Sequence, residues 1–408
     1  LATTTTLVHR NDPTPSEWWR DGLVYEIAQP SLNVHDLDAV DQLLPHISAL
    51  GISTVLLRPS EVDVETDPTA MAEFIDHAHH QGLRVIVRIS GALSPLTHPS
   101  SDGPPPCVTG LEREGEHLLT RAEAFLACGA DGLDLGTIVP PQVAPATDLD
   151  LLSSRVTILQ SLLAEYVDDG IIGADASSDF PDALQHHIED DWLHHLRDDS
   201  LVRTSWSAPS ITKQLTRSLS LHDRFGALPV WRILPSYALV GDKISDHGPR
   251  WFEADEATRL RRSRALQLMA LSLPGTIYIR QGDETGLLDR ERPADAHDFV
   301  KLILQRSEEQ ELIGNSPLSN CKGAAILREE WSLPGAPLAF VQGIEWSNPE
   351  VLTFLSRNIL VVVNTSNSDV TLPAGANILA SSYPLKRHGE HRVIPPLTCV
   401  WIEARTVS

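Results

Sequence analysis

Between Trp18 and Glu284, short β-branched apolar runs alternate with stretches whose apolar residues recur every three or four positions. The first pattern reads as buried parallel strand, the second as helix packed by one face. Predicted strands are Leu23–Ala28, Thr54–Leu57, Val85–Ile89, Gly132–Leu135, Gly170–Gly173, Leu201–Ser205, Val230–Leu234 and Thr276–Arg280. Predicted helices are Asp36–Leu50, Asp67–Gln81, Glu112–Cys128, Leu151–Val167, Pro181–Trp192, Ile211–Leu221 and Thr258–Ser272, the last closed by Pro274 and Gly275. In Asp36–Leu50 the apolar residues fall at 37, 40, 43, 44 and 47, the period of a helix. This α/β repetition predicts a parallel (β/α)₈ TIM barrel rather than a doubly wound open sheet.

After a further helix at Ala296–Gln310 the period shortens to two. Ala324–Leu327, Leu338–Val341, Ile359–Asn364, Val370–Leu372, Asn377–Ala380 and Cys399–Glu403 read as short strands separated by Gly, Pro, Asn and Ser. The predicted organisation is an N-terminal extension over 1–17, the barrel over 18–318 and a C-terminal antiparallel, β-sandwich-like domain over 319–408.

Charge narrows the classes of partner. Asp and Glu number 55 against 32 Lys and Arg, a net charge of −23, which repels phosphate backbones and argues against nucleic acid. No run approaches the roughly 18 uninterrupted apolar residues of a membrane span. The opening LATTTTLVHR has neither the basic lead nor the apolar stretch of a signal peptide, so a cytoplasmic protein is expected; sequence upstream of Leu1 is not visible. Cys107, Cys128, Cys321 and Cys399 form no CxxC pair and read as free thiols.

Several segments resemble the α-amylase superfamily, glycoside hydrolase family 13, in the style of bacterial α-glucosidases and trehalose synthases. They are WWRDGLVYEIAQPS at 18–31, LPHISALGISTVLLRPSEV at 44–62, HAHHQGLRVIVRIS at 77–90, GADGLDLG at 129–136, LMALSLPGTIYIRQGDETGL at 268–287 and HDFVKLILQRSEEQELIGNS at 297–316. The resemblance implies hydrolysis or transfer of α-glucosidic bonds by three carboxylates at the C-terminal ends of strands four, five and seven.

Those positions are degenerate here. Gly136 occupies the nucleophile slot and offers no nucleophilic side chain, while Asp134 stands two residues earlier in the arginine slot. On strand five the acid falls on Asp175, or on Ala174 if the register slips by one. Pro235, Ser236 and Tyr237 stand in the N-H-D places of strand seven, which removes the third carboxylate. On strand three Arg88 fills the aspartate place, and Ala92 and Leu93 replace Asn and His. The stretch from Ser90 to Leu111 is too short for the family's subdomain after strand three, whose sheet walls the sugar pocket and holds calcium. After strand one no metal loop is evident, and Asp36 and Asp38 read as helix-start carboxylates. No cofactor or metal is expected.

The resemblance also predicts a contact. The family carries aspartate on strand three and arginine on strand four; here the signs are exchanged, so Arg88 and Asp134 should form a buried pair. Glu284 reads as a structural anchor. His77, His79, His80, His186, His187, His194 and His195 read as a solvated polar face, because only His77 and His80 have the spacing for one helix face. Arg259, Arg261, Arg262 and Arg264 likewise read as the outer face of a helix.

Three functions follow. The leading expectation is a catalytically inactive homologue, a pseudoenzyme, acting as subunit, regulator or scaffold, with a catalytically intact relative or a second copy as partner. This would resemble the heavy chains of heteromeric amino-acid transporters, without their membrane anchor. The second is a carbohydrate-binding protein holding an α-glucan or small saccharide, with Tyr237 and Trp206 as candidate platforms. The third is an unorthodox α-glucosidase using Asp175 and Asp134.

Overall fold

The computed structural model describes residues 3–10, 17–29, 31–89, 115–138, 149–176, 181–233 and 255–406. Strand β1 (Thr4–His9) joins a sheet at the far end of the chain. It is followed by β2 (Leu23–Glu26), β3 (Thr54–Leu57), β4 (Arg84–Arg88), β5 (Gly132–Ile138), β6 (Ile171–Ala176), β7 (His195–Arg197), β8 (Val230–Ile233) and β9 (Thr276–Arg280). These eight pair in the order β7-β6-β5-β4-β3-β2-β9-β8, all parallel. A backbone bridge from Asp198 to Trp231 joins the two ends and closes the barrel.

Helices cover the outside: α1 (Trp18–Asp21), α2 (Val34–Ala49), α3 (Thr69–His80), α4 (Gly115–Ala127), α5 (Leu149–Tyr166), α6 (Pro181–Glu189), α7 (Ser200–Arg203), α8 (Ala208–Phe225), α9 (Glu256–Leu271), α10 (Ala296–Gln310) and α11 (Pro317–Glu330). Helix α2 shows how local sequence sets an element. Asn33 and Asp36 form a reciprocal capping box, so Asp36 is the helix-start carboxylate expected. Leu37, Val40, Leu43, Leu44 and Ile47 then bury against the barrel.

The remaining strands are β10 (Leu338–Gln342), β11 (Val351–Ser356), β12 (Ile359–Asn364), β13 (Val370–Thr371), β14 (Ile378–Ser381), β15 (Lys386–His388), β16 (His391–Ile394) and β17 (Thr398–Glu403). They form a six-stranded antiparallel sheet, β1-β10-β11-β12-β17-β14, and a three-stranded sheet, β13-β16-β15. Pairing of β1 with β10 ties residues 4–9 to this terminal sheet.

Two predicted elements differ. The sixth barrel strand is His195–Arg197, not Leu201–Ser205, whose first residues form α7 instead. Apolar content misleads here, because the strand's buried His195 and Arg197 are satisfied inside the barrel by polar partners. Ala324–Leu327 is helical, within α11, because Ser316 caps that helix by accepting from the Ser319 amide and Pro317 suits its first turn. Cys128, Cys321 and Cys399 are free thiols, whereas Cys107 lies outside the described residues.

Candidate functional site

Seven barrel strands bring a charged side chain to the C-terminal mouth: Arg280 ends β9 opposite Glu26, and the other six form one circuit. Glu26 (β2), Arg88 (β4), Asp134 (β5), Asp175 (β6), Arg197 (β7) and Arg232 (β8) are all buried. Register sets the first contacts: Arg88 lies opposite Asp134, and Asp175 opposite Arg197. The predicted pair is present, with Arg88 Nε donating to Asp134 Oδ1 at 2.7 Å.

It belongs to a larger closed circuit. Arg197 donates through Nη1 to Asp134 Oδ2, through Nη2 to Asp134 Oδ1 at 3.2 Å and through Nε to Asp175 Oδ1 at 2.5 Å. Arg232 Nη1 donates to Asp175 Oδ2 at 2.9 Å, and its Nη2 donates to Glu26 Oε1 at 2.5 Å. Arg88 Nη2 closes the ring on Glu26 Oε1 at 3.3 Å. Cations and anions alternate, three of each, so the ring is neutral. Burial raises the Asp134 carboxyl, but Arg197 and Arg88 outweigh it and hold the group well below the usual carboxylate range. Asp175 follows the same balance, with Arg197 and Arg232 overcoming burial.

Strand β5 bulges immediately beyond Asp134. Gly136 lies in this bulge with φ +69°, and its amide donates to Asp134 Oδ1 at 3.0 Å. The nucleophile slot is thus backbone in a left-handed conformation that favours glycine. Below the ring, the Tyr278 hydroxyl donates to His195 Nδ1 at 2.7 Å, and His195 Nε2 donates to the Trp19 carbonyl at 2.6 Å. Burial lowers the His195 pKa to about 3, so the ring is neutral.

Among solved structures, the chain is similar to an α-amylase from H. orenii, with a TM-score of 0.64 and 14% identity over 94% of this chain and 99% of that one. The fold is that of the α-amylases. A Family GH13_31 enzyme matches with a TM-score of 0.64 and 13% identity over 95% of this chain and 99% of that one. A cyclic α-maltosyl-(1→6)-maltose hydrolase from Arthrobacter globiformis matches with a TM-score of 0.58 and 13% identity, over 95% and 99%. No protein-family model matches the sequence, and no curated protein does.

Within this α-amylase fold, Gly136, Asp134 and Asp175 lie together at the mouth. Ala92, Leu93, Pro235, Ser236 and Tyr237 lie outside the described residues, as does the 90–111 stretch. Trp206 is half-buried against the barrel core. Glu284 is buried where the Tyr25 hydroxyl donates to it at 2.8 Å and His46 Nε2 approaches at 3.3 Å, which fits an anchor. Sequence reasoning missed Glu26, Arg197 and Arg232. The available signal was one charge on each of the otherwise apolar strand ends LVYE and VWRI.

The solvated histidine face needs correction. His187 and His195 are buried, His195 as part of a barrel strand; His77, His79, His80 and His186 keep substantial exposure, beside Asp41, Asp131, Asp76 and Asp190. The arginines of α9 are half-buried as well, because this helix packs between the barrel and β17. No helix among the described residues is long and apolar enough to cross a membrane.

Acid should destabilise the fold in two stages. Burial lowers His187 to about 4 and His195 to about 3. Below about pH 6.5 the unfolded chain therefore binds protons that the folded chain refuses, at roughly 1.4 kcal/mol per group per pH unit. Asp134 and Asp175 are depressed, so their stabilisation is full above the unfolded carboxylate pKa and is lost below about pH 4. Thermal unfolding across this range checks it; a melting temperature unchanged down to about pH 4 would contradict the buried neutral imidazoles.

Proposed function

We propose that the chain is a catalytically inactive relative of the α-amylase-fold enzymes, serving in the cytoplasm as a subunit, regulator or scaffold. The closed ring of three arginines and three carboxylates carries this reading. Glycoside hydrolysis needs one carboxyl group kept protonated to donate to the leaving oxygen and a second free to attack or to activate water. Asp134 and Asp175 are the acids nearest those roles, yet arginine engages both oxygens of each. Their depressed pKa values oppose a general acid, whose pKa must be raised. Gly136 supplies no nucleophile. The same features weigh against an α-glucosidase working through Asp175 and Asp134.

An intact catalytic relative is the partner proposed first, and a second copy of this chain the alternative, because a retained barrel without chemistry acts through its surface. The protein is expected to show no hydrolysis of p-nitrophenyl α-glucoside, maltose, trehalose or starch above a matched blank. Turnover that disappears in a folded Asp175→Asn variant would overturn the reading. Pull-down from the source cells, together with light scattering, tests the partner; a monomer that captures no relative would refute that half.

A further inference from the structure

A second site lies at the opposite, N-terminal end of the barrel. There α1, α5, α6, α8 and the segments leading into β7 and β8 line an open cavity of about 220 Å³. Its wall includes Trp19, Gln160, His194, Leu196, His222 and Ala227. We propose that this cavity binds a small, neutral, polyhydroxy compound of monosaccharide size.

Two imidazoles give the cavity fixed and complementary polarity. The Ile172 amide donates to His194 Nδ1 at 3.1 Å, so the proton of that ring is on Nε2, a donor. His222 Nδ1 lies 2.7 Å from the Ser218 carbonyl oxygen and donates to it, which leaves Nε2 as an acceptor. Burial lowers both histidines and keeps them neutral near pH 7. A hydroxyl group satisfies both, because it can accept from one ring and donate to the other. Gln160 in the wall donates an amide N–H to the Trp192 carbonyl at 2.9 Å, and its own carbonyl is by chemistry a further acceptor.

Charge and size restrict the ligand. Asp191 is exposed at the rim, where it repels anions and accepts from hydroxyl groups. Arg20, the cation of the wall, lies 2.5 Å from Glu17 and stacks on Trp19 at 4.4 Å, so it is already engaged. The volume falls below the roughly 300–1,000 Å³ of drug-sized sites and corresponds to about seven waters at ~30 Å³ each. The floor adds an unusual feature: His187 is 1% exposed and neither of its ring nitrogens has a hydrogen-bond partner among the described residues. Buried polar side chains ordinarily have partners, and this is not a wall built for an apolar guest.

The test is calorimetric and saturation-transfer NMR titration of the full chain with D-glucose. Glucose 6-phosphate serves as the charged comparison. Saturable glucose binding is expected, with weaker binding of the phosphate ester. His222→Asn retains a donor for the Ser218 carbonyl and removes the acceptor, so affinity should fall about tenfold. Ala227→Phe narrows the cavity from its rim and should abolish binding; it carries the test if the first variant fails to fold. Absence of saturable binding up to about 100 mM, far above the millimolar range of weak sites, would overturn the proposal. So would binding that both folded variants leave unchanged, which would place the sugar elsewhere, and so would preference for the phosphate ester. None of these results bears on the inactive-enzyme reading, which rests on the ring at the other end of the barrel.

Discussion

Arg197→Met should destabilise the protein by roughly 3–5 kcal/mol, the usual range for removing one partner of a buried charge network. The Arg197 guanidinium is wholly buried and donates to both Asp134 and Asp175. Its loss leaves the ring with one more negative than positive charge among groups that water hardly reaches. Asp134 would keep Arg88 and the Gly136 amide, and Asp175 would keep Arg232, so both carboxylates would be underbonded rather than bare. Arg88→Ala should cost about 3 kcal/mol by the same mechanism, and less than Arg197 because Arg88 makes one contact to each of two acids. Coupling is the sharper readout. Arg197→Met combined with Asp175→Leu removes one charge of each sign, and the pair should cost clearly less than the sum of the single changes. Urea unfolding of the four proteins measures this. Additive effects, or a loss under about 1 kcal/mol for Arg197→Met, would show that the charges act as solvated, independent groups.

The barrel was legible in the sequence because its strands are buried on both faces, and continuous apolar runs such as TVLL and TIYIR announce that environment. Its weakest point was β7, where the chain buries HLR. No hydrophobicity pattern can identify such a strand, since its burial depends on Tyr278, Asp134 and Asp175 arriving from elsewhere in the chain. The candidate site shows the same asymmetry. Arg88 and Asp134 could be paired in advance, because the resemblance implied an aspartate and an arginine at these two positions and the signs here are exchanged. Glu26, Arg197 and Arg232 left a fainter trace, and the closure of six charges into one ring is a property of three-dimensional register. The lower cavity was hidden for a related reason: the tautomers of His194 and His222 are fixed by the Ile172 amide and the Ser218 carbonyl, neither of which a residue pattern reveals.

Gly275→Ala should have the largest effect of any single methyl addition considered. A Cβ on Gly275 would lie 1.8 Å from the Pro229 carbonyl oxygen and 2.7 Å from its carbon, far inside contact distance. Movement of Pro229 is constrained, because its oxygen accepts from Thr276 N at 2.9 Å at the start of β9. Movement of Gly275 is constrained as well: its amide donates to Pro334 at 2.8 Å, and the Arg328 guanidinium donates to its carbonyl. Arg328 also donates to the carbonyls of Leu271 and Leu273 at 2.9 and 2.6 Å, and Trp231 Nε1 donates to that of Pro274 at 2.8 Å. The turn therefore joins the barrel to α11, and no part of it can yield alone. The backbone adds its own cost, because φ is +87°. Gly82→Ala separates the two contributions: its φ is +74°, yet none of the described residues lies within 4 Å of the added carbon. That variant should lose about 1–2 kcal/mol from the left-handed conformation and fold normally. Gly275→Ala should lose roughly 4 kcal/mol or more and yield little soluble protein. Similar melting temperatures for the two variants would mean that the turn relaxes around the extra methyl group and that its contacts do not hold β8, β9 and α11 in one arrangement.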